Sequence, residues 1–180
     1  MAKTQTAVFG GGCFWCLEAV FQRLKGVVSV ESGYMGGVVP NPTYKQVCGE
    51  NTGHVEVVRI TYNPDEITFH DLLEVLFTIH DPTTLNRQGN DVGTQYRSVI
   101  FYDGDMQRDQ AREYIAALEA GNEYDAPIVT AIEPATTFWK AEDYHQQYFD
   151  NNSRQPYCQF VIAPKLHKFQ KKFAQQMKAS

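Results

Sequence analysis

No apolar run in this chain approaches the roughly 20 residues that cross a bilayer as a helix, so no membrane span is expected. Positive charge is short as well: 16 Lys and Arg stand against 21 Asp and Glu, a net charge of −5. A general nucleic-acid binder carries the opposite excess, which excludes that class. The opening Met1-Ala2-Lys3-Thr4-Gln5-Thr6 has no apolar signal region, so a cytoplasmic protein is expected. Internal repeats, low-complexity segments and obvious linkers are lacking too. Cysteine is scarce, with only Cys13, Cys16, Cys48 and Cys158. In a reducing compartment such thiols are reactive, buried or metal-bound rather than structural disulfides. The 43% apolar content suffices for a core, and 180 residues suit one domain, with a core at about 5–135 and a C-terminal extension at about 136–180.

Apolar spacing supplies the elements. Val8-Phe9 ends a first strand, and Leu17, Val20, Phe21 and Leu24 share a helical face that closes at Gly26. Residues 27–34 and 55–62 read as strands, and Phe69, Leu72, Leu73, Leu76 and Phe77 as a helix. A strand at 98–102, a helix through Ala111, Tyr114, Ile115 and Leu118, and a β-rich run at 128–132 follow. Helices are expected at 142–149 and from Pro164 onward, the last with Leu166, Phe169, Phe173 and Met177 on one side and lysines around it. The order β-α-β-β-α-β predicts an α+β fold, a two-layer ferredoxin-like sandwich with a mostly antiparallel sheet, extra loops and C-terminal helices. Two long loops, 33–53 and 81–97, each carry a tyrosine, Tyr44 and Tyr96, and loops of that length are usually functional or disordered.

The most informative stretch is Gly10-Gly11-Gly12-Cys13-Phe14-Trp15-Cys16, where a strand runs into a helix. Unpaired amides and the dipole at a helix start favour a thiolate at Cys13. The glycines read as room for an anionic oxygen or thiolate near those amides; no phosphate-loop pattern follows them. Phe14 and Trp15 set an apolar wall beside the sulfur, which suits a small, soft, apolar substrate group. The Cys-x-x-Cys pair admits a dithiol redox centre, or chemistry at Cys13 alone with Cys16 buried or assisting. A zinc site would need Cys48, Cys158 and His54 to converge, since a second close pair is missing. Along the third strand His54, Glu56, Val58, Ile60 and Tyr62 share a face by alternation. Glu56 is either a strand-end carboxylate reaching water or a desolvated acid that holds its proton near neutral pH. His70, His80, His145 and His167 show no ligand spacing and read as surface or satisfied core residues.

Further segments carry a resemblance. Gly12-Cys13-Phe14-Trp15, Gly33-Tyr34-Met35-Gly36-Gly37, Asn41-Pro42-Thr43-Tyr44, Thr52-Gly53-His54-Val55-Glu56, His80-Asp81-Pro82, Arg87-Gln88-Gly89-Asn90-Asp91, Gly93-Thr94-Gln95-Tyr96-Arg97-Ser98 and Ala141-Glu142-Asp143-Tyr144-His145-Gln146 occur in that order. Together they resemble the A-type peptide methionine sulfoxide reductases, whose fold is likewise a ferredoxin-like sandwich with extra segments. The resemblance implies Cys13 as nucleophile, Glu56 as acid, Tyr44 and Tyr96 on the sulfoxide oxygen, and Asp91 as a polar site residue. It implies Phe14 and Trp15 as the cage for the substrate methyl. Free or protein-bound methionine-S-sulfoxide would be reduced through a sulfenic acid and then a disulfide, as repair of oxidative damage. Many members have Gly where this chain has Cys16, and resolve the sulfenic acid with C-terminal cysteines. Here Cys158 aligns with those positions, and Cys16 is the other candidate. Thioredoxin is the implied reductant, with no metal or organic cofactor, and a monomer is expected. A general Cys-x-x-Cys thiol-disulfide oxidoreductase is the alternative.

Overall fold

The structure, a computed structural model, describes residues 4–49, 52–89 and 91–177. Met1-Ala2-Lys3 and Asn90, both quoted above, lie outside the described residues. In chain order the elements are β1 (Gln5–Gly10), α1 (Phe14–Phe21), β2 (Val27–Met35), α2 (Tyr44–Cys48), β3 (Val55–Tyr62) and α3 (Phe69–Ile79). There follow a hairpin of β4 (Arg87–Gln88) and β5 (Asp91–Val92), then β6 (Val99–Tyr102), α4 (Asp105–Ala120), β7 (Ala131–Pro134), β8 (Trp139–Lys140), α5 (Tyr148–Asn151) and α6 (Ala163–Lys172).

The main sheet runs β7-β6-β1-β3-β2-β8. β3 pairs antiparallel with both β1 and β2, and β6 pairs antiparallel with β1, so the β1-α1-β2 crossover skips one strand that is filled later. This is the ferredoxin-like order expected, and β7 alone runs parallel to its neighbour β6. β3 is therefore central, with both edges paired. Its alternating residues divide between two cores. Val58, Ile60 and Tyr62 join Phe9, Phe14, Leu17, Phe21, Leu72 and Leu76 beneath the helices. Val55 and Val57 join Val8, Met35, Val99 and Phe101 on the other face. Glu56 belongs by parity to the helix side, one strand step from Val58.

α3 starts where Thr68 caps the Asp71 amide and Asp71 caps Thr68 in return. The same reciprocal cap between Thr43 and Gln46 starts α2, a short helix inside what reads as loop in the sequence. The β-rich run expected at 128–132 becomes a strand only from Ala131. The helix expected at 142–149 is broken. A 3₁₀ turn at Asp143–His145 ends before Gln147, whose left-handed φ of 54° precedes α5. Glu18 of α1, 1% exposed, accepts the amides of Gln147 and Tyr148 and so fixes that turn. The C-terminal extension thereby returns to the front of the domain. β8 pairs with β2, Gln146 bonds the Ser32 backbone, and a π-helical turn at Cys158–Ile162 leads into α6. Leu166, Phe169 and Phe173 of that last segment are buried, and α6 packs on α1 and α3. Among the described residues no helix is long and apolar enough to cross a membrane.

Candidate active site

Cys13 occupies the cap position of α1 and is 6% exposed. The glycines before it serve packing rather than an anion. A Cβ at Gly11 would lie 2.9 Å from the His80 ring, and one at Gly12, where φ is +94°, 2.9 Å from the Gln88 side chain. The Gly12 amide donates to the Tyr96 carbonyl at 3.2 Å. Gln88 in turn accepts from the Asp81 amide at 2.9 Å, so the 81–91 loop is keyed to the turn that carries Cys13. His80, on the other side, is a satisfied core residue between the Leu76 carbonyl and Ser98.

The first helical amide, that of Phe14, donates to Oε1 of Glu56 at 3.2 Å. Glu56 is fully buried, and its Oε2 has no partner. Burial pushes its pKa up to about 8, against the Phe14 amide and with help from the negative charge at Asp91 and Cys16. Of its two sequence readings the solvent-reaching one fails: Glu56 is a dry acid beside the start of the helix that Cys13 caps. The Cys13 expectation needs correction for the same reason. Its thiol lies well above the usual range, chiefly through burial, then through a hydrogen bond with Cys16 and the charge of Glu56. The Trp15 amide opposes this, but the Phe14 amide is taken by Glu56 and is not free for a thiolate.

Tyr44 and Tyr96 converge on this acid. Burial raises both hydroxyl pKa values, and the Glu56 charge is the next cause for each. Tyr44 is placed by Glu142, which accepts its backbone amide at 3.0 Å and the Tyr34 hydroxyl at 3.1 Å. Asp91 accepts the Tyr157 hydroxyl at 2.5 Å, and that hydroxyl lies 3.9 Å from Cys16 Sγ. Cys158, the next residue, is fully buried, whereas Cys48 is exposed and shares a hydrogen bond with Tyr44. All four cysteines are free thiols.

Phe14 and Trp15 form an aromatic box with Tyr44 and His145. The His145 ring centre lies 5.1 Å from that of Phe14 and 4.4 Å from that of Tyr44. Trp15 stacks on Tyr148 at 3.7 Å and donates its indole N–H to His145 Nδ1 at 3.0 Å. The neutral ring then carries its proton on Nε2, which is buried without a partner, and burial lowers the pKa. His145 is thus neither a surface nor a satisfied core residue, which corrects the sequence reading. Neither its role nor that of Glu142 follows from residue type; only their place in the 141–146 motif marked them. One group among the described residues has metal-ligand spacing, His70, Asp71 and Glu74 on α3. It contains none of the cysteines, and its Asp71 serves the helix cap.

A family profile described as peptide methionine sulfoxide reductase matches residues 5–178. The chain is 57% identical over 170 residues to the peptide methionine sulfoxide reductase MsrA of Chromobacterium violaceum, covering 94% of this chain and 97% of that one. Its fold superposes on reduced Mxr1 of Saccharomyces cerevisiae with a TM-score of 0.79 and 36% identity, over 87% of this chain and 90% of that one. Mxr1 has also been solved in complex with Trx2, a structure similar to this chain at a TM-score of 0.56 and 26% identity, over 81% and 85% of the two chains.

Proposed function

This chain belongs to the peptide methionine sulfoxide reductase family, and from that membership we propose how its residues reduce the S epimer of methionine sulfoxide. The observation that carries the reading is the buried Glu56, with a pKa of about 8, bonded to the first amide of the helix that Cys13 caps. Glu56 is protonated at neutral pH and gives its proton to the sulfoxide oxygen, which Tyr44 and Tyr96 hold by their hydroxyls. Sulfur becomes electrophilic, and the Cys13 sulfur attacks it. One oxygen atom passes to Cys13: thiol plus sulfoxide becomes sulfenic acid plus thioether. The Cys13 proton restores Glu56. The substrate methyl sits against Phe14 and Trp15, with His145 holding the indole edge.

A second thiol then displaces water from the sulfenic acid and forms a disulfide. Cys16, hydrogen-bonded to Cys13 and three residues along the helix start, is the proposed resolving thiol. Cys158, whose thiol pKa is raised by burial and then by the charge of Cys16, is the other candidate. Asp91 acts through Tyr157, which touches Cys16. A thioredoxin-type dithiol reduces the disulfide, in keeping with the Mxr1–Trx2 complex. The whole chain works as one cytoplasmic, monomeric catalytic domain that repairs free and protein-bound methionine sulfoxide without metal or organic cofactor. The general thiol-disulfide oxidoreductase reading is not favoured, because it leaves a dry, protonated Glu56 without a task.

The test is reduction of the separated epimers of a blocked methionine sulfoxide with dithiothreitol. Turnover of the S epimer alone is expected. Equal turnover of both, or of the R epimer only, would overturn the proposed pocket geometry.

A further inference from the structure

A groove of about 1090 Å³ is lined by none of the aromatic-box residues. Its walls are the end of α3, the 123–126 segment, and the π-helical turn with the start of α6. Phe77, Ile79, Phe160 and Val161 give the lining apolar surface, and Asp81, Glu123, Lys165 and Lys168 give it charge of both signs. Asp91 and Tyr157 also line it. That is the pair whose tyrosine hydroxyl lies 3.9 Å from Cys16 Sγ.

Which groups line this groove decides what it is for. Tyr44, Glu56 and Tyr96, which serve the sulfoxide oxygen, are not among its described lining residues; nor are Phe14 and Trp15. A groove for the substrate polypeptide would open onto those groups. This one is lined by Tyr157, whose hydroxyl lies 3.9 Å from the sulfur of Cys16, the proposed resolving thiol. Phe160 stands on its rim with 78% exposure, two residues from Cys158. A large exposed aromatic bordering an apolar groove marks a protein contact. The charge of Lys165, which also lines the groove, reaches Cys16.

We propose that this groove is the docking surface for the protein dithiol that regenerates the enzyme, so that substrate and reductant approach the Cys13–Cys16 pair from different sides. The partner is a thioredoxin-type protein with its reactive cysteine on an exposed, apolar-flanked tip. Its thiolate attacks one sulfur of the enzyme disulfide to give a mixed disulfide and a free enzyme thiolate. Its second cysteine then attacks the mixed disulfide, leaving the partner oxidised and both enzyme thiols reduced. The inference rests on the reductase reading above, but can fail separately from it.

Phe160→Glu and Lys168→Glu are exposed-wall changes outside the reacting groups. With thioredoxin as reductant, each is expected to raise the KM for thioredoxin at least several-fold. Turnover driven by dithiothreitol, and the KM for a methionine sulfoxide peptide, should stay unchanged. An unchanged thioredoxin KM in both variants would overturn the proposal. A raised peptide KM with thioredoxin KM unchanged would overturn it in favour of substrate binding. Absence of dithiothreitol-driven turnover in the unaltered protein would instead remove the reductase reading, and this inference with it.

Discussion

Replacing Glu56 by Gln separates two consequences of one buried proton. Gln keeps an oxygen for the Phe14 amide, so the turn into α1 is preserved, and it can still donate a hydrogen bond to the sulfoxide oxygen. It cannot transfer a proton. A positioned general acid is worth ~10²–10⁴ in rate, or about 3–5 kcal/mol, and that loss in kcat/KM is expected at pH 7 with dithiothreitol as reductant. With a pKa of about 8, roughly nine in ten Glu56 side chains carry the proton at pH 7. The ratio of wild-type to variant rate should therefore fall as pH rises past about 8, whatever the other groups do. Stability responds to the same proton. An acid whose folded pKa lies above its unfolded value binds its proton more tightly in the folded state. Folding stability then falls as pH rises through the window from 4.5 to about 8. At pH 7 this costs the wild type about 3 kcal/mol, and between pH 6 and pH 8 the penalty grows by about 2 kcal/mol. Gln, uncharged throughout, escapes it. Urea unfolding at both pH values should show the variant gaining on the wild type by about that amount. A variant that keeps more than about a tenth of the activity, or whose stability tracks the wild type across pH, would refute the assignment of a dry acid to this position.

Two further substitutions test the neighbours. Cys16→Ser should still release one methionine per enzyme in a single turnover but stall with thioredoxin, while Cys158→Ser should continue; the reverse outcome on peptide mapping would move the resolving role to Cys158. His145→Phe keeps a ring against Phe14 and Tyr44 but leaves the Trp15 indole N–H without its acceptor, at a cost of about 1–3 kcal/mol in thermal unfolding. His145→Gln should recover most of that loss together with the KM for substrate; equal loss in both variants would mean that ring packing, not the hydrogen bond, is what matters.

The ferredoxin-like core was legible because each of its strands and both of its helices carries its own apolar period. β3 is the clearest case: alternation alone assigns Glu56 to the helix-covered face, where it lies. Local chemistry failed where backbone geometry is imposed from afar. Nothing in residues 142–149 announces a left-handed Gln147; that turn is fixed by Glu18, which is remote in sequence. α2 is too short for a periodic signal, and only its Thr43–Gln46 cap marks it. The site divides along the same line. Cys13, Phe14, Trp15 and Glu56 stand out from their neighbours. His145 meets Trp15 across 130 residues, and Asp91 meets Tyr157 across 66, so their parts depend on tertiary contact. The thiol pKa was misjudged for the most specific reason: a helix start offers few free amides, and the first of them is bound to Glu56.

That amide assignment explains how the site can be sealed. A thiolate at Cys13 and a carboxylate at Glu56 would place two like charges in one dry pocket, and burial opposes each of them. The stable resting form is therefore neutral thiol beside neutral acid. Both protons that the proposed reaction moves are already present in that form. In that proposal Glu56 lends one to the oxygen, Cys13 returns one to Glu56, and the oxygen transfer as a whole consumes neither. No proton has to come from bulk water, so Cys13 and Glu56 can both be buried with no open path for exchange. The same seal keeps the Glu56 pKa high, since admitted water would stabilise the carboxylate and take away the acid. Burial, neutrality and proton economy are thus one property of this pocket, and a substitution that wets it should lose activity before it loses fold.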